Sequence, residues 1–171
     1  TATVTVTGKN NYKGTGKATF EIANKEVLTI SGLNNNEEFT YDGTSKTPTG
    51  TLTVTDDKVT VSELEVLYEG TDNSYNSTTA PVNAGSYKVT YKIADSNPDY
   101  SGSVSYNFKI NKAQLEKVTL RTNEIVYNGL GSFPATDNYN DSLHELSGTL
   151  GATNVGDYTT TVALKDSANY E

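Results

Sequence analysis

The sequence predicts an all-β chain of tandem β-sandwich modules in an elongated array. Three observations predict it. One strand phrase recurs: "NAGSYKVTYKI" at Asn83–Ile93, "NVGDYTTTVAL" at Asn154–Leu164, and "TATVTVTG" at the start of the chain. Only 34% of residues are hydrophobic, which suits pleated layers in which every second residue faces inward. Thr, Val, Tyr and Ile, the residues that favour half-buried pleated surfaces, fill the runs between Gly and Asn turns.

The repeat extends beyond that phrase. "FTYDGTSKTP" (Phe39–Pro48) matches "IVYNGLGSFP" (Ile125–Pro134). In both, Tyr is followed by Asp or Asn and then Gly, a pair that supplies positive φ for a tight turn. A strand is therefore expected to end at Tyr41 and at Tyr127, with turns at Gly43 and Gly129. The closing part repeats too. "NYKGTGKATFEI" (Asn11–Ile22) aligns with "DYSGSVSYNFKI" (Asp99–Ile110), so that Tyr12, Gly14, Phe20 and Ile22 match Tyr100, Gly102, Phe108 and Ile110. Alternation in "ATFEI" and "YNFKI" predicts half-buried strands with Phe and Ile on one face.

The chain therefore divides into the tail of one unit (1–24), a complete unit (25–112) and a third unit (113–171) cut before its last strand. The complete unit, about 88 residues, has the size of a sandwich domain. Residues 50–82 are extra relative to the third unit and predict one additional hairpin turning at "TDD" (Thr55–Asp57). The joints "EIANKEVLTI" and "KINKAQLEKVTL" contain neither Pro nor Gly, which predicts a semi-rigid rod. The third unit is expected to expose an unpaired sheet edge. Either further residues follow it, the preferred reading, or segment 1–22 of a neighbouring molecule fills the gap by strand addition.

Charge and composition exclude several partners. The net charge is −8 and the pI about 4.6, which argues against nucleic acid and against anionic membrane surfaces. No apolar run approaches a membrane span. Without cysteine there are no disulfides, thiolate metal sites or cysteine nucleophiles. Acidity, absence of cysteine and Thr/Tyr/Asn-rich strands together suggest a secreted bacterial domain.

The quoted segments, and "YDGTSKTP … NAGSYKVTYKI … NPDYSGSVSYNFKINKA" above all, resemble the MBG-type immunoglobulin-like modules of Gram-positive cell-surface and adhesin-like proteins. The resemblance covers nearly all of the chain. It implies immunoglobulin-like β-sandwiches that serve mostly as spacers or stalks, sometimes as binding domains, with no catalytic set. The long 50–82 segment departs from the pattern.

His144 in "SLHELSG" lacks a nucleophile elbow and reads as a surface or strand-edge residue. Glu63 and Glu65, two apart on an expected strand, read as a solvated face opposite Leu64 and Val66. Asp/Asn loops offer calcium candidates at Asp95, Asp99, Asp137 and Asp141, with Asp72–Asn76 a further cluster, although no EF-hand spacing exists. Tyr68, Tyr75 and Tyr139, near Asn73, Asn76, Asn138 and Asn140, are candidates for a glycan platform. Lys88, Lys92 and Lys109 alternate outward, against a buried Lys–Asn isopeptide staple. Tyr12 and Tyr100 are the expected corner tyrosines, hydroxyl bonded to backbone. The residues expected to matter most are structural: Tyr41, Gly43, Pro48, Gly85, Tyr87, Tyr100, Gly102, Phe108 and Ile110. The sequence thus points to a non-enzymatic extracellular or wall-attached spacer without cofactor. Its partners would be adjacent modules, with binding of a glycan or host ligand the alternative.

Overall fold

The computed structural model describes residues 2–21, 24–122, 124–131 and 135–171. They are predominantly β, with no α-helix and only short 3-10 turns among the described residues. The strands in order are β1 (Ala2–Thr7), β2 (Thr15–Phe20), β3 (Glu26–Val27), β4 (Ile30–Leu33), β5 (Glu37–Thr40), β6 (Gly50–Val54), β7 (Leu64–Gly70) and β8 (Asn76–Ser77). Then come β9 (Gly85–Ile93), β10 (Tyr100–Ser101), β11 (Ser103–Asn111), β12 (Thr119–Leu120), β13 (Thr136–Asp137), β14 (His144–Gly148) and β15 (Thr160–Leu164). The largest sheet has the order β5-β11-β9-β7-β8; the others are the pairs β1-β2, β3-β10, β4-β6, β12-β13 and β14-β15.

Two compact units emerge. The first comprises residues 1–32, 51–66 and 90–105, the second 33–50, 67–89 and 106–171. The first unit is built on Leu28, Ile30, Val59 and Ile93, flanked by Leu52, Val54, Leu64, Tyr100 and Val104. The second holds an aromatic cluster around Phe108. Its ring stacks on Tyr87 at 5.5 Å and meets Phe39 and Tyr68 edge-on at 6.3 and 6.4 Å, the geometries that aromatic quadrupoles favour. β11 alternates as its sequence predicts: Tyr106, Phe108 and Ile110 are buried and the residues between them exposed.

The 50–82 segment does hold a hairpin, but it joins β7 to β8 in antiparallel pairing (Tyr68↔Ser77, Glu69↔Asn76) and does not turn at Thr55–Asp57. β6 pairs with β4 and β7 with β9 and β8, so the strands flanking Thr55–Asp57 enter different sheets. Thr55 explains the divergence. Its N–H donates to the Thr29 carbonyl and its Oγ1 accepts the Thr29 N–H, both at 3.0 Å, locking the end of β6 onto the approach to β4. Asp56 and Asp57 then take positive φ (73° and 43°). A second 3-10 turn, Val61–Glu63, redirects the chain into β7. Glu63 lies in this turn rather than on a strand beside Glu65. Its carboxylate accepts from the Thr60 N–H at 2.7 Å and Thr60 Oγ1 at 2.8 Å, closing a capping box. The Thr60 backbone bond holds its pKa below the ordinary carboxylate range.

Two other expected strands differ. No strand covers residues 124–127, although β5 occupies the matching place before Tyr41. β5 has a ladder partner, pairing in parallel with β11 from Phe108↔Glu37 to Asn111↔Thr40; residues 124–127 have none among the described residues. β2 forms, but all six of its residues are exposed rather than half-buried.

The start of each repeat is held the same way. In the second, β3 pairs in parallel with β10 (Glu26↔Tyr100), and the N–H groups of Glu26 and Leu28 donate to the Asp99 and Ser101 carbonyls. In the third, Ala113 bridges Tyr170 in parallel, and the N–H groups of Ala113 and Leu115 donate to the Asn169 and Glu171 carbonyls. Lys25 Nζ donates to the Asp95 carbonyl at 2.7 Å, and Lys112 Nζ to the Ser167 carbonyl at 2.6 Å.

Candidate functional site

The recurring phrase Asn-x-Gly-x-Tyr builds one small device twice. Tyr87 Oη donates to the Asn83 carbonyl at 2.8 Å, and Tyr158 Oη donates to the Asn154 carbonyl at 3.0 Å. The ring thus folds back over the glycine between them. A Cβ on Gly85 would lie 3.1 Å from Tyr87 Oη, and one on Gly156 3.3 Å from Tyr158 Oη, tighter than ordinary van der Waals contact. Tyr87 and Tyr158, not Tyr100 and Tyr12, are therefore the corner tyrosines. Tyr100 is anchored instead through its backbone N–H to Asn97 Oδ1 at 2.9 Å, and Tyr12 is 80% exposed. Burial raises the pKa of the Tyr87 hydroxyl, and the negative charge of Asp72 adds to the effect, so it remains a protonated donor.

The Tyr-Asp/Asn-Gly turns also repeat. The Thr44 N–H donates to Asp42 Oδ1 and the Leu130 N–H to Asn128 Oδ1, both at 2.9 Å, with Gly43 and Gly129 at φ 78° and 74°. Lys46 Nζ adds a 2.6 Å ion pair to Asp42. Hydrogen bonds from Lys46 and Thr44 push the Asp42 carboxyl far below its usual pKa.

The calcium candidates are each engaged in turn or ion-pair geometry. Asp95 takes Lys92 Nζ at 2.6 Å, which lowers the carboxyl pKa and raises that of the ammonium. Asp99 donates its N–H to Asn97 Oδ1. Asp137 pairs with Arg121 Nε at 2.7 Å, and Asp141 accepts Tyr139 Oη at 2.8 Å. Asp72 accepts the Ser86 N–H at 3.0 Å on both oxygens, and that bond chiefly lowers its pKa. Among the described residues no group of three or more His, Asp or Glu side chains is placed to hold a metal ion.

The glycan candidates fall in two places, Tyr68, Tyr75 and Asn76 at the paired strands β7 and β8 and Tyr139 and Asn140 beside His144. Tyr68 is only 7% exposed and its hydroxyl donates to Thr47 Oγ1 at 3.1 Å, so it is core rather than platform. Tyr75 donates to the Thr79 carbonyl at 2.7 Å and sets its ring edge-on against Tyr87. Asn76 is exposed on β8, opposite Glu69. Tyr139 stacks on His144 at 5.7 Å. Asn140 Oδ1 accepts the Ser142 N–H at 2.8 Å in a local turn. His144 is buried at 5% exposure, not at the surface. The Asn140 N–H donates to its Nδ1 at 3.1 Å, so this nitrogen serves as an acceptor in the fold.

Two features lay outside the sequence reading. Asn169 is buried. Its Oδ1 accepts the Ala84 N–H at 2.7 Å, while Nδ2 donates to Asn83 Oδ1 and Asp166 Oδ2 at 3.2 and 2.9 Å. The third repeat also carries a groove of about 530 Å³ lined by residues that include Leu120, Ile125, Leu130, Tyr158 and Val162. These side chains are exposed by 53, 44, 70, 50 and 37%.

The family model described as "MBG domain" matches residues 27–114, just over half of the 171. The chain belongs to the MBG domain family. No curated protein matches it. No solved structure matches it. In this MBG domain the corner at Tyr87, the turn at Gly43 and the aromatic cluster around Phe108 all lie inside the matched residues. The groove lies beyond them, in the third repeat.

Proposed function

We propose that this chain is a non-catalytic structural repeat of a secreted or wall-attached bacterial protein. It consists of tandem immunoglobulin-like β-sandwich modules that hold an adhesive or catalytic domain away from the cell. The boundaries proposed are 1–24 for the tail of a preceding module, 25–112 for a complete module and 113–171 for the next. One observation carries the reading. The side chains that recur between repeats are used to fasten backbone: Tyr87 and Tyr158 each hold the carbonyl four residues back, and Asp42 and Asn128 each hold the N–H two residues on. Recurrence of fastening groups, rather than of a cluster aimed at solvent, is what a load-transmitting module requires. Function is argued from sites and not from fold, and the sites that repeat here are structural ones.

A binding screen tests this. The purified chain is immobilised and exposed to glycan arrays and to host matrix proteins. A spacer gives no saturable signal. Saturable binding of one glycan or one protein, competed by the free ligand, would replace the spacer with an adhesin module.

A further inference from the structure

A side chain of the third repeat completes the backbone of the second. Asn169 is 6% exposed. Its Oδ1 accepts the Ala84 N–H at 2.7 Å, and its Nδ2 donates to Asn83 Oδ1 at 3.2 Å and to Asp166 Oδ2 at 2.9 Å. The oxygen and both amide hydrogens are thus engaged, the pairing that a buried polar group requires. Asp166 fixes which end of the amide faces Ala84. Asn83 and Ala84 belong to the second repeat's corner, and the Asn83 carbonyl is the one that Tyr87 Oη holds. The next residue adds a second contact, since the Tyr170 ring meets Tyr41 edge-on at 5.3 Å. Burial raises the pKa of the Tyr41 hydroxyl, and nearby Tyr170 and Asp166 add to the effect. The Tyr41 N–H donates to the Asn111 carbonyl at 2.8 Å, which ties this ring to the segment that joins the repeats.

The seat of Asn169 belongs to the repeat. Residues 99–101, in the middle of the chain, take their backbone partners from residues 26–28 just as residues 169–171 take theirs from 113–115. Residues 33–50 and 67–89 also fall in one compact unit with 106–171. We infer that Asn169 and Tyr170 are the plug by which the third repeat docks on the corner of the second, making the joint a specific interface and not only a short linker. The partner is the adjoining repeat of the same chain. An N–H donor and two oxygens recognise the amide, and Tyr41 receives the neighbouring ring. Docking and closure are one event, because the Asn169 carbonyl accepts the Ala113 N–H within its own repeat while its side chain crosses to the preceding one. The second repeat carries Asp99 at this position. A carboxylate at position 169 would keep an acceptor for Ala84, but it would have no hydrogen for Asn83 and would set a like charge beside Asp166. This docking rests on the division into repeats proposed above. It is indifferent to the spacer role, so a saturable ligand in the binding screen would remove that role and leave the joint as it is.

Nitrogen-15 relaxation of the full chain provides the test. In the wild type the amides of Tyr87 and Phe108 and those of Leu146 and Val162 should report one rotational correlation time. In Asn169→Ala and Asn169→Asp the Leu146 and Val162 amides should report a shorter one while their signals stay dispersed. Hydrogen exchange at Ala84 should rise about tenfold in Asn169→Ala. Asn83→Ala leaves the third repeat's sequence intact and should move the correlation times in the same direction. The wild-type arm does not depend on any variant folding. Two distinct correlation times in the wild type overturn the docking and leave the spacer reading standing. So does a single correlation time in all three variants with Ala84 exchange unchanged.

Discussion

Replacing Tyr87 with Phe removes one hydroxyl and leaves the ring in place. The ring is 3% exposed and stacked on Phe108 at 5.5 Å, so packing is retained and the 2.8 Å bond to the Asn83 carbonyl is what is lost. Asn83 is exposed, so water reaches the freed carbonyl and the cost stays near the net value of one hydrogen bond, about 0.5–1.5 kcal/mol. Differential scanning calorimetry of the full chain should then show a lower melting temperature. Each kcal/mol corresponds to roughly 2–4 °C if the whole chain melts together, or 4–8 °C if the transition is confined to a module-sized unit. Tyr158→Phe offers the internal control. Its ring is 50% exposed, so water already competes for the hydroxyl and the loss should fall below about 0.5 kcal/mol. An unchanged melting curve for Tyr87→Phe, or equal losses in the two variants, would refute the corner argument. Gly85→Ala extends the test. Its Cβ would lie 2.7 Å from Asn73 Nδ2 and 3.1 Å from Tyr87 Oη, and overpacking of this kind costs about 1–3 kcal/mol. In the Tyr87→Phe background the Oη contact is gone, so the two changes should cost less together than the sum of the single changes.

Three further outcomes are expected. Gly102→Ala places a Cβ 2.5 Å from the Leu28 carbonyl; it should destabilise by about 1–3 kcal/mol and accelerate hydrogen exchange at the Glu26 and Leu28 amides. The folded state favours the ionised form of Asp72, whose pKa is lowered chiefly by the Ser86 N–H. That contribution is complete above the ordinary carboxylate value of about 4 and disappears as pH falls through the lower folded value, so Asp72→Asn should flatten the acid limb of a stability–pH profile. Asn169→Ala removes the acceptor of the Ala84 N–H and should cost about 1–3 kcal/mol in urea unfolding.

The sequence made legible whatever depends on local pattern. Period-2 alternation gave β11 its inward face at Tyr106, Phe108 and Ile110, and the Asp-Gly and Asn-Gly pairs gave the turns at Gly43 and Gly129. Pairing is not local, and there the reading failed. Nothing in "TLTVTDDKVTVSELEVLYEG" distinguishes a hairpin from two strands bound for different sheets; the decision rests on Thr29, more than twenty residues upstream. His144 illustrates the same limit. Read as a surface or strand-edge residue, it stands at the first position of β14 yet is buried, with its ring stacked on Tyr139 and its Nδ1 accepting the Asn140 N–H. The corner tyrosine was within reach. Glycine two residues before Tyr, in both Gly85-Ser86-Tyr87 and Gly156-Asp157-Tyr158, is the trace left by a ring that needs the space of a missing Cβ.

The parallel pairing at the start of each repeat explains why the joints contain neither Gly nor Pro. Glu26 and Leu28 donate to the Asp99 and Ser101 carbonyls, and Ala113 and Leu115 donate to the Asn169 and Glu171 carbonyls. The same two N–H groups, two positions apart, are thus used in each copy. Proline at either place would remove a donor, and glycine would raise the entropic cost of fixing the strand. The lysine just before the pairing, Lys25 or Lys112, adds a bond from its ammonium to a carbonyl in the segment that leads into the Asp-Tyr or Asn-Tyr pair. Each repeat therefore begins by fastening itself to its own later segment, so the residues that join two repeats also close the second of them. Lengthening a joint with flexible residues would consequently do more than loosen the link. It would release the two amides and the lysine that fasten residues 112–115 to residues 167–171, and hydrogen exchange at Ala113 and Leu115 should rise together if glycines are inserted after Asn111.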